Sequence, residues 1–186
     1  MEKQNPNPRR FGSRGEYLVA FQVLLMTAFV LIPVRSILPD EAKFVAGRWA
    51  LLGLCWAASA FFGIGGFLAL RKYLTPLPYP VDENRLIDTG VYRLVRHPLY
   101  TAIMLAFTGW TLFSGSLTHL AMTIVAFVFF SHKASKEETW LTQLHPEYPD
   151  YAARTGRFVP RLKKKRPGQA HSSGTTPPRV SKKERF

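Results

Sequence analysis

The polar residues with the most chemical potential lie in two segments, each bordering an apolar run. The first reads Gly90-Val91-Tyr92-Arg93-Leu94-Val95-Arg96-His97-Pro98-Leu99-Tyr100. Proline suits the first turn of a helix, where its missing N–H costs nothing, so Pro98 puts Arg96 and His97 at or just before a helix N-terminus. Such an end carries partial positive charge and free N–H groups, and Arg96 beside it would complete a site for a small carboxylate or phosphate. The second segment holds His132, Ser135, Glu137, Glu138, Trp140 and Leu141, then Tyr148, Tyr151, Arg154, Arg157, Phe158 and Pro160. A helix leaving the cytoplasmic leaflet usually carries Lys or Arg. Adjacent acids there need a cationic partner, such as Arg93, Arg96 or Arg157, or a ligand that donates hydrogen bonds. The structural alternatives are plain. Arg93 and Arg96 would only anchor lipid headgroups, Tyr92 and Tyr100 would belong to an aromatic belt, and Ser135 with Glu138 would form a capping box.

The elements that must position these segments are apolar. The 186-residue chain is 47% hydrophobic yet has a net charge of +13, and its mean hydropathy of −0.03 averages two unlike parts. Uncharged stretches of roughly 17 to 22 residues are long enough to span a bilayer core. The spacing predicts an all-α integral membrane protein with about four transmembrane helices. The first runs from about Tyr17 to Leu38, with Pro33 near its end, and the second from about Trp49 to Leu70, closing on Arg71-Lys72. In the second, Gly53, Gly63 and Gly66 with Ala57, Ser59 and Ala60 form a surface on which another helix can pack closely. Two shorter runs, Leu99 to Phe113 and Leu117 to Phe130, are joined by Ser114-Gly115-Ser116 and read as a helical hairpin. Because a hairpin returns the chain to the face it left, the two polar segments can meet.

Between the two pairs of spans, Pro76, Pro78 and Pro80 followed by Asp82-Glu83-Asn84-Arg85 read as an extended surface loop. The expected organisation is therefore a cytoplasmic N-terminal segment (1–16), two N-terminal helices (17–72), a core (73–162) and a disordered basic tail (163–186). Lys and Arg crowd the N-terminal segment, the stretch from Arg71 to Arg96 and everything after Lys133, whereas the Ser114–Ser116 turn has none. By the positive-inside rule both termini are cytoplasmic, in a multi-pass protein of an inner membrane. The apolar run after Arg9, Arg10 and Arg14 is too long for a secretory signal and lacks a small-residue cleavage site, so it reads as a retained helix. The basic tail suits anionic lipid, and no interleaving of basic and aromatic residues suggests nucleic acid. A single cysteine, Cys55, excludes an intramolecular disulfide, and no metal-spaced His/Cys cluster, Gly-rich nucleotide loop or nucleophile elbow occurs.

An anion-binding helix end, a pair of carboxylates and several aromatic faces near lipid suit a sulfonium methyl donor such as S-adenosylmethionine. Its carboxylate wants the basic end, its ribose hydroxyls want acceptors, and its cationic sulfur is favoured beside π faces or acids. Residues alone stop at that preference. The order of blocks goes further: G-x-Y-R-x-x-R-H-P-x-Y, an apolar hairpin, E-E-x-x-L and a Tyr-bearing stretch ending R-F-x-P. Here they are Gly90, Tyr92, Arg93, Arg96, His97, Pro98, Tyr100; Glu137, Glu138, Leu141; and Tyr148, Tyr151, Arg157, Phe158, Pro160. Over about Leu86 to Leu162 this resembles the isoprenylcysteine carboxyl methyltransferase and phospholipid methyltransferase superfamily of small membrane enzymes.

The resemblance implies S-adenosylmethionine held near the cytosolic face by Tyr92, Arg96, His97, Tyr100, Glu137 and Glu138. It gives catalytic roles to Arg157, which would orient the acceptor, and to Glu138, and the lipophilic acceptor would enter from the bilayer. No metal is implied. A carboxylate acceptor is already nucleophilic and needs mainly alignment and exclusion of water. An amine would also need a base, for which His97 or a glutamate is the candidate. The chain departs from the eukaryotic enzymes in being short, with fewer spans, and in having Leu144-His145-Pro146 where an aromatic-glycine pair is usual. That opens the acceptor to a prenylated C-terminus, a phospholipid amine or a small lipophilic acid. Two other readings compete: a sterol-reductase-like enzyme using NADPH, which would be expected to have Asn in place of Leu99, and a non-catalytic lipid-binding or scaffold protein.

Overall fold

The computed structural model describes residues 16–38, 42–71 and 86–161. The prolines of the connecting loop, Lys72, the N-terminal segment before Glu16 and the basic tail lie outside the described residues. Helices α1 (Glu16–Leu31), α2 (Ala42–Leu70), α3 (Pro98–Ser114), α4 (Leu117–Leu144) and α5 (Tyr148–Arg154) follow in order, with a 3-10 turn at Gly90–Arg93. Among the described residues there is no strand, only two isolated bridges, Ser36 with Ser116 and Val95 with Gly156.

Two of these helices, α2 over Val45–Leu70 and α4, are long and apolar enough to cross a membrane. The first helix is shorter than the expected span: it stops at Leu31, and residues 32–38 continue without helix. The residue before a proline is pushed out of the α region, so Pro33 ends this helix instead of kinking it. The freed segment lies against the α3–α4 turn, where the Ile37 N–H donates to the Gly115 carbonyl at 3.2 Å. Gly115 itself takes a left-handed φ of 58° as the C-cap of α3, a conformation glycine adopts at little cost. The side chain of Ser116 then caps α4 by accepting from the His119 N–H.

Helices α2 and α3 pack on each other most extensively. Between apolar helices in lipid there is little hydrophobic gain, so close van der Waals approach through small residues must hold them. The expected small-residue surface does this in part. A Cβ on Gly63 would touch Ala102 at 3.4 Å, one on Gly66 would meet Pro98 and Leu99 at 3.1 Å, and the Ser59 hydroxyl donates to the Ala102 carbonyl at 2.8 Å. Gly53 faces open space. Two glycines outside that reading approach more closely: a Cβ on Gly65 would lie 2.6 Å from the Val91 side chain, and one on Gly109 2.7 Å from Cys55. Leu18, Leu25 and Phe29 of α1 meet Phe107 of α3 and Ala126, Phe129 and Phe130 of α4 in the main apolar core, with the Phe29 and Phe107 rings stacked at 3.7 Å. The outer faces of α1 and α2 expose large apolar side chains, such as Val30 (78%) and Leu54 (69%), in the bands that contact with lipid requires.

Candidate functional site

The hairpin does return the chain to where it began. Helix α4 runs unbroken through Glu137 and Glu138, so Ser135 is mid-helix and is not an N-cap, which removes the capping-box alternative. His97 is the N-cap of α3 and Pro98 its first residue. The stretch after α5 then lays itself beside this entry, with the Arg96 N–H donating to the Gly156 carbonyl at 2.8 Å and the His97 N–H to the Arg157 carbonyl at 3.2 Å. Three stretches distant in sequence thus meet at one point.

That point is the Glu138 carboxylate. Its Oε1 accepts from Arg96 Nε at 3.0 Å and Arg157 Nε at 3.1 Å and lies 3.1 Å from His97 Nε2, while Oε2 accepts from Arg157 Nη2 at 2.5 Å. Charge-assisted bonds of this kind, two of them forming the two-pronged fork of Arg157, are the strong class. Arg96 is further fixed by the carbonyls of Ala152, at 2.9 Å, and Thr155. Its Nε and Nη1 are thus committed within the protein, and it sits as a strut between the entry to α3, α4 and α5. Arg157 keeps more access: its side chain is 36% exposed, and its Nη1 donates to the Ser135 hydroxyl at 3.1 Å.

Glu137 faces the other side of the same histidine. The Tyr100 hydroxyl donates to its Oε1, and its Oε2 stands 3.4 Å from His97 Nδ1. Both ring nitrogens of His97 therefore face carboxylates, an arrangement that suits the imidazolium, whose two N–H groups both donate. Burial of the ring disfavours that charge, but hydrogen bonding and charge attraction from Glu137 and Glu138 outweigh it and raise the His97 pKa above the ordinary histidine value. Aromatic faces enclose the histidine: Tyr100 stacks on it at 5.5 Å and 4°, and Phe158 lies tilted at 5.9 Å.

A group whose pKa is raised by folding stabilises the fold fully below its unfolded value and ceases to as pH climbs through the folded value. Stability in detergent is thus predicted to fall from about pH 6.5 upward, and His97→Gln to flatten that slope. Thermal unfolding across the alkaline range measures both; parallel slopes in the two proteins would remove His97 as the titrating group.

Tyr92 and Tyr151 act behind the cluster. The Tyr151 hydroxyl donates to the Tyr92 carbonyl at 2.7 Å, pinning α5 to the 3-10 turn, and Arg154 pairs with Asp88 at 2.8 Å on the surface. Burial pushes the phenols of Tyr92 and Tyr151 well above their usual range, so both stay neutral. Arg93 is exposed. The buried Tyr148 hydroxyl lies in the field of Arg96 and Glu138 without a partner at hydrogen-bond geometry. Sequence reasoning missed Lys133, Gln22 and Gly156; a charged residue four positions before Glu137 on an apolar helix face was the available signal for Lys133. Among the described residues no three His, Cys, Asp or Glu side chains stand close enough together to hold a metal ion.

Among the described residues the chain is helical, with two helices long and apolar enough to cross a membrane, and its polar cluster joins the foot of a hairpin to the segment behind it. Residues 44–147, more than half the chain, match the sequence profile of a family described as phospholipid methyltransferase, and the chain belongs to that family. A protein of Oryza sativa subsp. japonica named "Probable protein-S-isoprenylcysteine O-methyltransferase" is 36% identical over 81 residues, 42% of each chain. The cobalt-zinc-cadmium resistance protein of Cupriavidus metallidurans is 36% identical over 81 residues, 43% of this chain and 38% of its own. Methanethiol S-methyltransferase of Pseudomonas deceptionensis is 23% identical over 160 residues, 81% of this chain and 60% of its own. The chain spans about two fifths of the length of the first two relatives.

Proposed function

We propose that this protein is an S-adenosylmethionine-dependent methyltransferase acting on a lipophilic acceptor at the cytoplasmic face. The observation that carries the reading is the convergence on Glu138 of Arg96 and His97 from the entry to α3 and Arg157 from the chain's last described stretch. A structural salt bridge needs two partners. Four hydrogen bonds gathered on one carboxylate, beside a second carboxylate and three aromatic rings, favour a site built to be held rigid.

The residues suit the donor. Glu137 has acceptor capacity left for ribose hydroxyls, His97, Tyr100 and Phe158 offer π faces to a cationic sulfur, and the partly exposed Arg157 is available to polar groups. When bound, the sulfonium supplies an electrophilic methyl carbon. The protein's part is alignment: Glu138 fixes Arg157, His97 and Arg96 relative to one another, and Tyr100 fixes Glu137. A preset geometry of this kind lowers the entropic part of the barrier. Arg157 is the group placed to orient the acceptor, and enclosure by Phe158 and Phe130 excludes water.

In this reading α1 and α3 cross the bilayer with α2 and α4, giving four spans and cytoplasmic termini. At 16 and 17 residues they are short for a core of about 30 Å, so the bilayer thins locally or the 32–38 segment completes the first crossing. The basic tail after Leu162 binds anionic lipid in a salt-sensitive manner.

The test is calorimetric titration of the detergent-solubilised chain with S-adenosylhomocysteine and, in parallel, NADPH. Saturable binding of the first alone is expected. Binding of NADPH alone would replace this reading with a reductase, and binding of neither would leave a non-catalytic membrane protein.

A further inference from the structure

The flank of α4 turned away from the Glu138 cluster carries a second group of polar residues, where α4 meets α1. The Lys136 ammonium donates to the Tyr17 hydroxyl at 2.5 Å and lies 5.2 Å from the centre of the Tyr17 ring. His132 is exposed one turn earlier on the same face of α4. Two turns from Lys136, towards the middle of the helix, Phe129 meets Phe21 of α1 with ring centres 4.9 Å apart, and Phe21 and Val125 are exposed. At about 100° per residue, positions 125, 129, 132 and 136 form one row, roughly 150° round α4 from Glu138 and roughly 110° from Glu137.

A lysine at the rim of a membrane helix ordinarily extends a free stem towards water. Lys136 is instead held by the hydroxyl and ring of Tyr17, so its other two N–H groups have a set direction, and no other side chain among the described residues accepts from it. The Tyr17 hydroxyl accepts that bond, which leaves its own proton to donate, and the residue is 47% exposed. The His132 imidazole offers an N–H in either protonation state. Glu137 and Glu138 are turned into the cluster, where Tyr100, His97, Arg96 and Arg157 engage them, and Glu16, next to Tyr17, has interactions of its own. The seam between α1 and α4 is therefore rich in aligned donors and complementary to an oxygen anion. The exposed apolar side chains of Phe21 and Val125 continue it towards the middle of the helices. A soluble anion would use only the donors, whereas a lipid would use both parts.

We propose that this seam binds an anionic phospholipid as a structural partner, its phosphate on Lys136, Tyr17 and His132 and an acyl chain along Phe21 and Val125. Charge-assisted bonds from a preset ammonium are the strong kind, and the phosphate oxygens have lone pairs for all three donors. The lipid is not the methyl acceptor, because its headgroup lies on the opposite flank of α4 from Glu138. The site stands whether or not the methyltransferase reading does. Its effect is on assembly: α1 is tied to α4 at this end by the bonds from Lys136 to Tyr17 and from Lys133 to Gln22, and a phosphate held by both helices adds a further clasp. A ligand that binds only the assembled helices stabilises them by mass action. The basic tail attracts the same lipids by charge alone, which salt screens, while a fitted headgroup with a buried chain resists salt.

The test follows the full chain in a fixed detergent at about 0.5 M salt, where the tail is screened, with phosphatidylglycerol, phosphatidylcholine or glycerol 3-phosphate added. Native mass spectrometry counts retained lipid, and thermal unfolding reads the stabilisation. The wild type is expected to retain a single phosphatidylglycerol and to gain thermal stability from it, with little effect of the other two. Lys136→Met should weaken that lipid roughly fivefold or more, Lys136→Arg should restore most of the loss, and Tyr17→Phe and His132→Gln should each cost less. The comparison is the gain from phosphatidylglycerol over phosphatidylcholine within each protein, so a variant that is merely less stable does not imitate the result. Equal retention of the two lipids by the wild type, which needs no variant, would overturn the proposal. So would an undiminished gain in Lys136→Met, which would assign the lipid to another surface, or glycerol 3-phosphate acting as strongly as the lipid, which would make the seam a site for soluble anions.

Discussion

Replacing Glu138 with alanine is expected to abolish measurable S-adenosylhomocysteine binding and to lower stability by about 3 kcal/mol, the low end for stripping a partner from a buried ion pair. The low end applies because the carboxylate is 14% exposed and some water can reach the cations left behind. The loss falls unevenly. Arg96 keeps the Ala152 and Thr155 carbonyls, and His97 keeps Glu137, but among the described residues Arg157 retains only Ser135 and swings free. Three cations lose one shared anion, so repulsion among them opens the foot of α3 from the segment after α5. The packing of α2 on α3 does not involve Glu138, so helical content should persist. Glu138→Gln keeps the shape but points an amide N–H₂ or a neutral oxygen at guanidinium groups, and should recover little. Thermal unfolding and calorimetry in the same detergent read both quantities. Normal ligand binding by the alanine variant would return Glu138 to a merely structural role and weaken the proposed site as a whole.

The contrast with Glu137 separates two functions that adjacent acids would otherwise share. Glu138 is loaded from several sides by protein donors, so in the proposed site its part is positional. Glu137 holds one hydroxyl and one ring nitrogen, so in the same proposal it is the carboxylate with capacity for a ligand. From the sequence the two glutamates are interchangeable. Only their angular difference of about 100° on α4 turns one into the hub and aims the other past Tyr100.

How far the sequence led can be judged at particular residues. Pro98 and the turn at Ser114–Ser116 placed the α3 entry and the hairpin correctly, because both rest on local backbone rules that operate wherever the chain folds. The meeting of Arg96 and His97 with the glutamates was legible from topology, since a hairpin must bring its two ends together. Pro33 was misjudged: a span with a late proline and a helix stopped by one look alike until the 32–38 segment finds the Gly115 carbonyl. The capping box failed for a similar reason, because Ser135 and Glu138 have the right spacing but occur where α4 is already helical. Arg96 was expected to face an anionic ligand. Its donors turn to carbonyls of α5 and the residue after it, and nothing in the spacing of residues 96 and 152–155 announces that contact. Lys133 and Gln22 stand 111 positions apart on helices whose mutual rotation the sequence does not encode locally.

The segment behind the cluster is held by a steric condition as strict as any charge. A Cβ on Gly156 would lie 1.8 Å from the Val159 carbonyl oxygen, 3.0 Å from its carbon and 3.2 Å from the Arg161 nitrogen. All three are backbone atoms, so no side chain can rotate away and the turn over residues 156–161 must open. Space, not a left-handed backbone, makes glycine necessary, since the positive-φ glycines among the described residues are Gly90 and Gly115. Opening the turn breaks the bridge to Val95 and the bond from the Arg96 N–H to the Gly156 carbonyl, and it carries Arg157 away from Glu138. Gly156→Ala is therefore predicted to cost about 3 kcal/mol, the upper part of the range for overpacking, and to weaken S-adenosylhomocysteine by on the order of a hundredfold. Limited proteolysis should cut the variant faster within residues 155–161 than the wild type, while the helices resist equally. Wild-type ligand affinity with an unchanged cleavage rate would mean that the turn relaxes without moving Arg157, and that the site does not depend on the segment folding back over α3.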